Sequence, residues 1–320
     1  ENNDGYLDIY VTNILERSYK TDEGNMLWLN CVDPSCPGGR GFRNIGEISK
    51  THDGGWGWGG KFADFNNDGL VDIFTVNGFV TGDLNRNYWF AIQEMVTQTK
   101  NQTADARDWP VMGDRDLSGR EPSRLFIQVG RALPAADSPP SQGGGDVRPS
   151  AIPSFVEVAR QSGITDTYNG RGIAVADFNH DGFLDMYIAN QGAPSCYYVN
   201  NTRKDDAHRH GGFLWLKLVG RPDLPIQIGD RKLASTVDAV GARVTVYTDH
   251  GQMISEVRGG MGFASQYEHA VHFGIPDPAA VQRITIWWPS GRVQEFDGEA
   301  AYSMLNKHTR ISEIEEIAQS

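Results

Sequence analysis

The sequence predicts an all-β protein: a β-propeller, N-terminally incomplete in this chain, followed by a small C-terminal β-sandwich-like domain. Three observations predict it. A nine-residue polar loop recurs, twice in full and once cut short. Each copy runs into short segments rich in β-branched and aromatic residues, the composition of strands. Past about residue 213 the loops stop and longer strands with period-two alternation begin. A repeated unit of a few antiparallel strands cannot bury both faces alone, and a radial stack of blades is the common solution. The division expected is 1–212 for the propeller blades, with inserts at about 83–120 and 132–153, and 213–320 for the second domain.

In chain order, the first loop is the N-terminus, where Asn2, Asp4, Gly5, Tyr6 and Asp8 fill slots three, five, six, seven and nine. Slot one would precede Glu1, so the chain opens inside a motif and an upstream region is expected. The strand Leu7–Val11 follows, then Met26–Asn30, a cysteine loop, and Gly41–Ile45. The glycine-rich run from Thr51 to Gly60 leads into the second loop. Two readings of its Trp56 and Trp58 stand: fillers between adjacent sheets, or a stacking platform for a sugar or other flat ligand. The second loop, Asp64-Phe65-Asn66-Asn67-Asp68-Gly69-Leu70-Val71-Asp72, feeds the strand Val71–Val76. An insert then carries Trp89, Ile92 and Val96 at helical spacing, with Asp83 as a candidate N-cap. Strands Arg124–Gln128 and Ser154–Val158 flank a Pro/Ser/Gly/Asp-rich excursion. The third loop, Asp177-Phe178-Asn179-His180-Asp181-Gly182-Phe183-Leu184-Asp185, is followed by Leu184–Ile188, Cys196–Asn200, a polar loop and Gly212–Trp215. Thereafter Phe213–Val219, Gly241–Tyr247, Met253–Arg258 and Arg283–Trp288 read as sandwich strands, with Ala242/Val244/Val246 and Ile284/Ile286 facing the core.

The loops read as hard-cation sites. Oxygens at slots one, three, five and nine, with the slot-seven carbonyl, converge on a point only if the backbone coils tightly, which Gly5, Gly69 and Gly182 permit. Three carboxylates, an amide oxygen and a carbonyl suit Ca²⁺, which takes roughly six to eight oxygens, with water completing the shell. The ligand sets are Asp64, Asn66, Asp68, Leu70 and Asp72; Asp177, Asn179, Asp181, Phe183 and Asp185; and Asn2, Asp4, Tyr6 and Asp8. An EF-hand would need Glu at slot twelve and flanking helices, whereas Val11, Thr75 and Ile188 stand there, within strands. The bland alternative, that Asp-Gly marks a hairpin turn, leaves the recurring Asp and Asn unexplained.

A net charge of −12 without a Lys/Arg-rich stretch argues against nucleic-acid binding. No apolar run reaches the length that spans a membrane. Of three cysteines, Cys31 and Cys36 flank a short Pro-containing loop, for which a local disulfide is favoured over two free thiols, and Cys196 is left unpaired. A disulfide suits an oxidising compartment, and calcium loops with few ligands suit the high Ca²⁺ outside cells. His208 and His210 lie in a polar loop and read as solvated, with a metal pair as the alternative. Ser265, His269 and His272 suggest a nucleophile and base, but no orienting carboxylate is evident, and the glycine-rich run 259–266 reads as a bulged strand edge.

The Asp-Phe-Asn-x-Asp-Gly-x-x-Asp pattern at 64 and 177 resembles the FG-GAP/VCBS repeats of integrin-like propellers. The tail, through Ala239–Val244, Gly259–Gln266, His272-Phe273-Gly274 and Trp288–Gln294, resembles the ASPIC/UnbV domain. Together they are similar to the cartilage acidic protein family and its bacterial relatives. The resemblance implies an integrin-α-like propeller, Ca²⁺ in its loops, a secreted, extracellular or periplasmic address, and no defined reaction. The expected function is therefore a calcium-binding, adhesion-type module for a protein or glycan partner rather than an enzyme. The alternative is an enzyme, or a subunit of one, acting on a glycan or small molecule at the propeller face.

Overall fold

The computed structural model describes residues 3, 5–15, 24–31, 41–78, 88–99, 106–115, 120–130, 152–202, 211–266 and 268–314. It is all-β apart from short helical pieces. The first part is three successive antiparallel meanders: β1 (Ile9–Val11), β2 (Met26–Cys31) and β3 (Gly41–Asn44); β4 (Gly57–Ala63), β5 (Asp72–Asn77), β6 (Arg124–Gln128) and β7 (Phe155–Glu157); β8 (Gly170–Ala176), β9 (Asp185–Asn190) and β10 (Cys196–Tyr198). In the second and third sheets the polar loop joins the first strand to the next, β4 to β5 and β8 to β9, with Ala63 opposite Asp72 and Ala176 opposite Asp185.

Strands β4 and β8 lie against one another. A side chain on Gly59 of β4 would meet the carbonyl of Arg171 at 2.8 Å and Ile173 at 2.9 Å, so glycine here is required for the sheets to approach. The apolar sides of the second and third sheets share a core of Phe74, Val76, Leu125, Ile173, Val175, Met186 and Ile188. A second core joins the first and second sheets through Leu27, Leu29, Ile45, Ile73, Phe126 and Phe155. The expected helix is present as α1 (Tyr88–Thr99), anchored by the buried Tyr88, whose hydroxyl donates to Pro110 O at 2.6 Å.

The remaining strands surround a separate core drawn from residues 214–311. One sheet is β11 (Gly212–Val219), flanked by β16 (Ala270–Ile275) antiparallel and β19 (His308–Ser312) parallel. The facing sheet runs β15 (Gly251–Glu256), β14 (Arg243–Thr248), β17 (Val281–Trp287), β18 (Val293–Asp297). A small hairpin of β12 (Ile226–Ile228) and β13 (Arg231–Leu233) completes the set. Alternation along β11 buries Leu214, Leu216 and Leu218 and turns Phe213, Trp215 and Lys217 outward. Val244, Val246, Ile284 and Ile286 are buried as their alternation requires.

Two expectations are corrected, and one stretch given no element above is assigned one. Gly212–Trp215 is not the last strand of a third meander, because it pairs with β16 and β19 rather than with β10. The end of the glycine-rich stretch before the second loop, from Gly57, is itself a strand, β4, since its bare backbone still completes the ladder to β5. The run 259–266 is no strand edge but a loop laid over β4 and β8. In it Phe263 packs edge-on against Trp58 at 5.0 Å, and Ser265 Oγ accepts from Ile173 N at 2.9 Å. Cys36, Asp83, most of the 132–153 excursion, His208 and His210 fall outside the described residues.

Candidate metal centre

The three loops match where their backbone is described. Slot four takes the left-handed conformation in each, at Asn3 (φ 57°), Asn67 (φ 56°) and His180 (φ 59°), and slot six is a positive-φ glycine at Gly5, Gly69 and Gly182. Asn and His tolerate that region better than most side chains, and glycine enters it freely. Side-chain oxygens hold the coil. In the second loop Asp64 Oδ1 accepts from Asp68 N (3.2 Å) and Oδ2 from Gly69 N (2.9 Å), while Asn66 Oδ1 also accepts from Asp68 N (3.1 Å). The third repeats this: Asp177 accepts from Asp181 N (3.0 Å) and Gly182 N (2.8 Å), and Asn179 Oδ1 from Asp181 N (3.0 Å). The slot-five carboxylates continue the coil, Asp68 Oδ1 accepting from Leu70 N at 2.8 Å and Asp181 Oδ1 from Phe183 N at 3.0 Å.

Slot nine has a second task that the sequence did not reveal. Asp72 Oδ2 accepts from Phe65 N and Oδ1 from Gln128 N, each at 2.9 Å, tying the loop to the end of the next strand, β6. Asp185 does the same with Phe178 N (3.2 Å) and Asn200 N (2.7 Å). Asp8 Oδ1 accepts from Asn30 N (2.8 Å), so the cut copy keeps the tie although Asn2 and Asp4 lie outside the described residues. Its one trace in the sequence is positional: Asn30, Gln128 and Asn200 each close the second strand-like segment read after a loop.

Clustered acids strain the second loop electrostatically. Burial, then the charges of Asp72 and Asp68, push the Asp64 carboxyl well above its ordinary value. Burial likewise raises Asp72 to about 7, and raises Asp185. Among the described residues no three His, Cys, Asp or Glu side chains gather closely enough to hold a metal by themselves. The donor set fits a hard cation when the Asn66 and Asn179 amide oxygens, the carbonyls of Leu70 and Phe183, and water are included.

All three loops press on the second part of the chain. Asn3 Oδ1 accepts from Ile254 N at 3.2 Å, and Arg243 donates to Gly5 O. A Cβ on Gly274 would collide with Asp64 Oδ2 and the backbone of Asn67, so β16 can lie flat on the second loop only with glycine there. Asn67 Nδ2 reaches Gly182 O at 3.0 Å, linking the second and third loops. The third loop meets a ring cluster: His272 Nε2 is 3.0 Å from Gly182 O, and His308 Nε2 is 3.0 Å from Asp177 Oδ2. Phe213 lies parallel to His272 at 6.2 Å. Beside the first two loops a cleft of about 140 Å³ opens, lined among others by Lys61, Arg243, Arg258, Glu268, Trp215 and His272.

The serine and histidines do not assemble into hydrolytic machinery. Ser265 Oγ donates to Phe263 O (2.7 Å), whereas His272 is engaged with Gly182. A carboxylate does face His269, Asp238 at 3.6 Å, contrary to expectation, but the other ring nitrogen lies against Gln266 at 2.9 Å. Trp58 is occupied by protein: Arg171 stacks over it at 3.9 Å and its indole N–H donates to Gly78 O at 2.5 Å. The filler reading holds for it. Cys196 is a free cysteine, as expected, and burial raises its thiol pKa.

Comparison with known proteins agrees with this layout. Residues 2–75 match the FG-GAP-like repeat, 169–204 the FG-GAP repeat, and 232–313 the ASPIC and UnbV family. The chain thus carries FG-GAP repeats followed by an ASPIC/UnbV domain. It is 26% identical over 245 residues to cartilage acidic protein 1 of Xenopus tropicalis, an alignment covering 74% of this chain and 34% of that protein. The chain therefore spans about a third of the length of that relative. No helix among the described residues is long and apolar enough to cross a membrane.

Proposed function

We propose that this chain is a calcium-stapled interaction module of a secreted, extracellular or periplasmic protein, presenting a rigid surface to a protein or glycan partner. Asp64, Asn66, Asp68, Asp72 and the Leu70 carbonyl would hold one Ca²⁺, and Asp177, Asn179, Asp181, Asp185 and the Phe183 carbonyl a second. Asn2, Asp4, Asp8 and the Tyr6 carbonyl would contribute to a third. Bound Ca²⁺ supplies positive charge to buried, mutually repelling carboxylates. The single observation that carries the reading is that two copies of one oxygen-lined coil, and the described residues Asn3 and Gly5 of the third, all lie against the second part of the chain. A ligand coil repeated at one contact surface is what a structural staple requires.

Interaction rather than turnover is supported by where the chemistry-bearing side chains go: Ser265, His272 and Trp58 are all engaged in packing or backbone contacts. The test is a glycan array and a protein-partner screen run beside hydrolase and lyase panels, on wild type and Asp68→Ala with calcium present. Partner binding that weakens in the variant, without turnover, is expected. Turnover that disappears in Asp68→Ala while its melting temperature is unchanged would make the metal catalytic and overturn the reading.

A further inference from the structure

We propose that His180 and His308 form a second kind of metal site, for a borderline transition ion such as Zn²⁺, clasping the third loop to β19. The two residues are 128 positions apart, yet their Nδ1 atoms lie 2.6 Å from one another. His180 occupies slot four of its loop and is exposed; His308 opens β19 and is half-buried. The other nitrogen of His308 faces Asp177 Oδ2 at 3.0 Å. A carboxylate only accepts, so His308 Nε2 carries the hydrogen and Nδ1 presents its lone pair toward His180. An imidazole whose far N–H is fixed by a carboxylate is how proteins orient histidine for a metal. Trp215 at 4.6 Å and Phe213 at 5.8 Å wall the His308 ring and hold that orientation.

Without a metal, one hydrogen must lie between the two Nδ1 atoms, placed on His180. With a metal, that hydrogen moves to the Nε2 of His180, leaving two lone pairs to bind. Metal–nitrogen bonds of about 2.0–2.1 Å in a tetrahedral site put two such nitrogens roughly 3.3 Å apart, so the exposed His180 ring swings outward by about 0.7 Å. Water fills the remaining positions. Imidazole nitrogens suit Zn²⁺ and Cu²⁺, whereas the oxygen-lined coils suit Ca²⁺, so the two kinds of ion do not compete for one site. The proposal does not depend on calcium in the loops.

The test is calorimetric titration with zinc chloride, in excess Ca²⁺ and again after chelation and removal of Ca²⁺, with thermal melts alongside. One Zn²⁺ per chain and a zinc-dependent rise in melting temperature are expected in both conditions. His180→Asn should weaken zinc binding at least tenfold with unchanged circular dichroism, because Asn already occupies slot four in the other two loops. A His208→Ala/His210→Ala double variant should bind zinc as wild type does. The proposal is overturned if wild type takes up no zinc, which leaves the pair merely hydrogen-bonded, or if His180→Asn binds zinc normally. It is also overturned if excess Ca²⁺ displaces the zinc, which would place that ion in an oxygen-lined coil.

Discussion

At the scale of the residue, the slot-nine aspartate does two jobs at once, ligand candidate and strand clamp. Asp72 is fully buried, and its removal in Asp72→Ala would leave the buried N–H groups of Phe65 and Gln128 unpaired. The expected loss is on the order of 3 kcal/mol in urea unfolding, present even in chelator. The same residue sets a pH dependence. Its folded pKa of about 7 lies above the usual aspartate range, so the cation-free protein has this residue's full contribution to stability below about pH 4 and loses it as pH rises toward 7. Chelated protein should therefore melt progressively lower across that window, while the gain from added Ca²⁺ widens. A calcium-induced shift in melting temperature that stays constant or shrinks from pH 5 to 7.5 would contradict this. The clamp was invisible in the motif itself, because a ligand pattern does not say which backbone N–H groups its oxygens also satisfy. The His180–His308 pair was hidden for another reason: two histidines far apart in sequence carry no shared spacing.

At the scale of the element, strands rich in β-branched and aromatic residues were legible and glycine-rich ones were not. Arg124–Gln128 falls where its composition places it, and Phe126, 1% exposed, joins the first and second sheets through one core. Phe126→Ala should cost about 3–5 kcal/mol by equilibrium unfolding, with little change if the site were a free surface. By contrast β4 and β8 open on Gly57-Trp58-Gly59-Gly60 and Gly170-Arg171-Gly172, which lack side-chain signal because the strands lie against one another and the 259–266 loop covers them. The strand Gly212–Trp215 was misassigned for a related reason: its apolar alternation suits any half-buried sheet, and only pairing with β16 and β19 distinguishes them. Near the end of β19, Glu313 is 1% exposed, bonds Ser290, and meets Arg292 at 3.2 Å. Glu313→Ala leaves Arg292 buried without its carboxylate and should cost about 3–5 kcal/mol, measured by the same unfolding assay.

At the scale of the molecule, the loops that read as cation sites are also the surface on which the second domain rests. Asn3, Gly5, Asp64, Asn67, Asp177 and Gly182 all touch or closely approach β14, β15, β16 or β19. Loss of calcium should thus be felt beyond the loops: hydrogen exchange at β16 and at 259–266 should speed up on chelation, whereas β17, inside its own core, should change little. The central claim is that the coils at 64–72 and 177–185 bind Ca²⁺, and calorimetric titration of chelator-stripped protein tests it most directly. At least two sites are expected in wild type, one fewer in Asp68→Ala and one fewer in Asp181→Ala. With free calcium at ten to a hundred times its dissociation constant, each site should add about 1.4 to 2.7 kcal/mol of stability. No heat of binding, together with a melting temperature indifferent to EDTA, would contradict it.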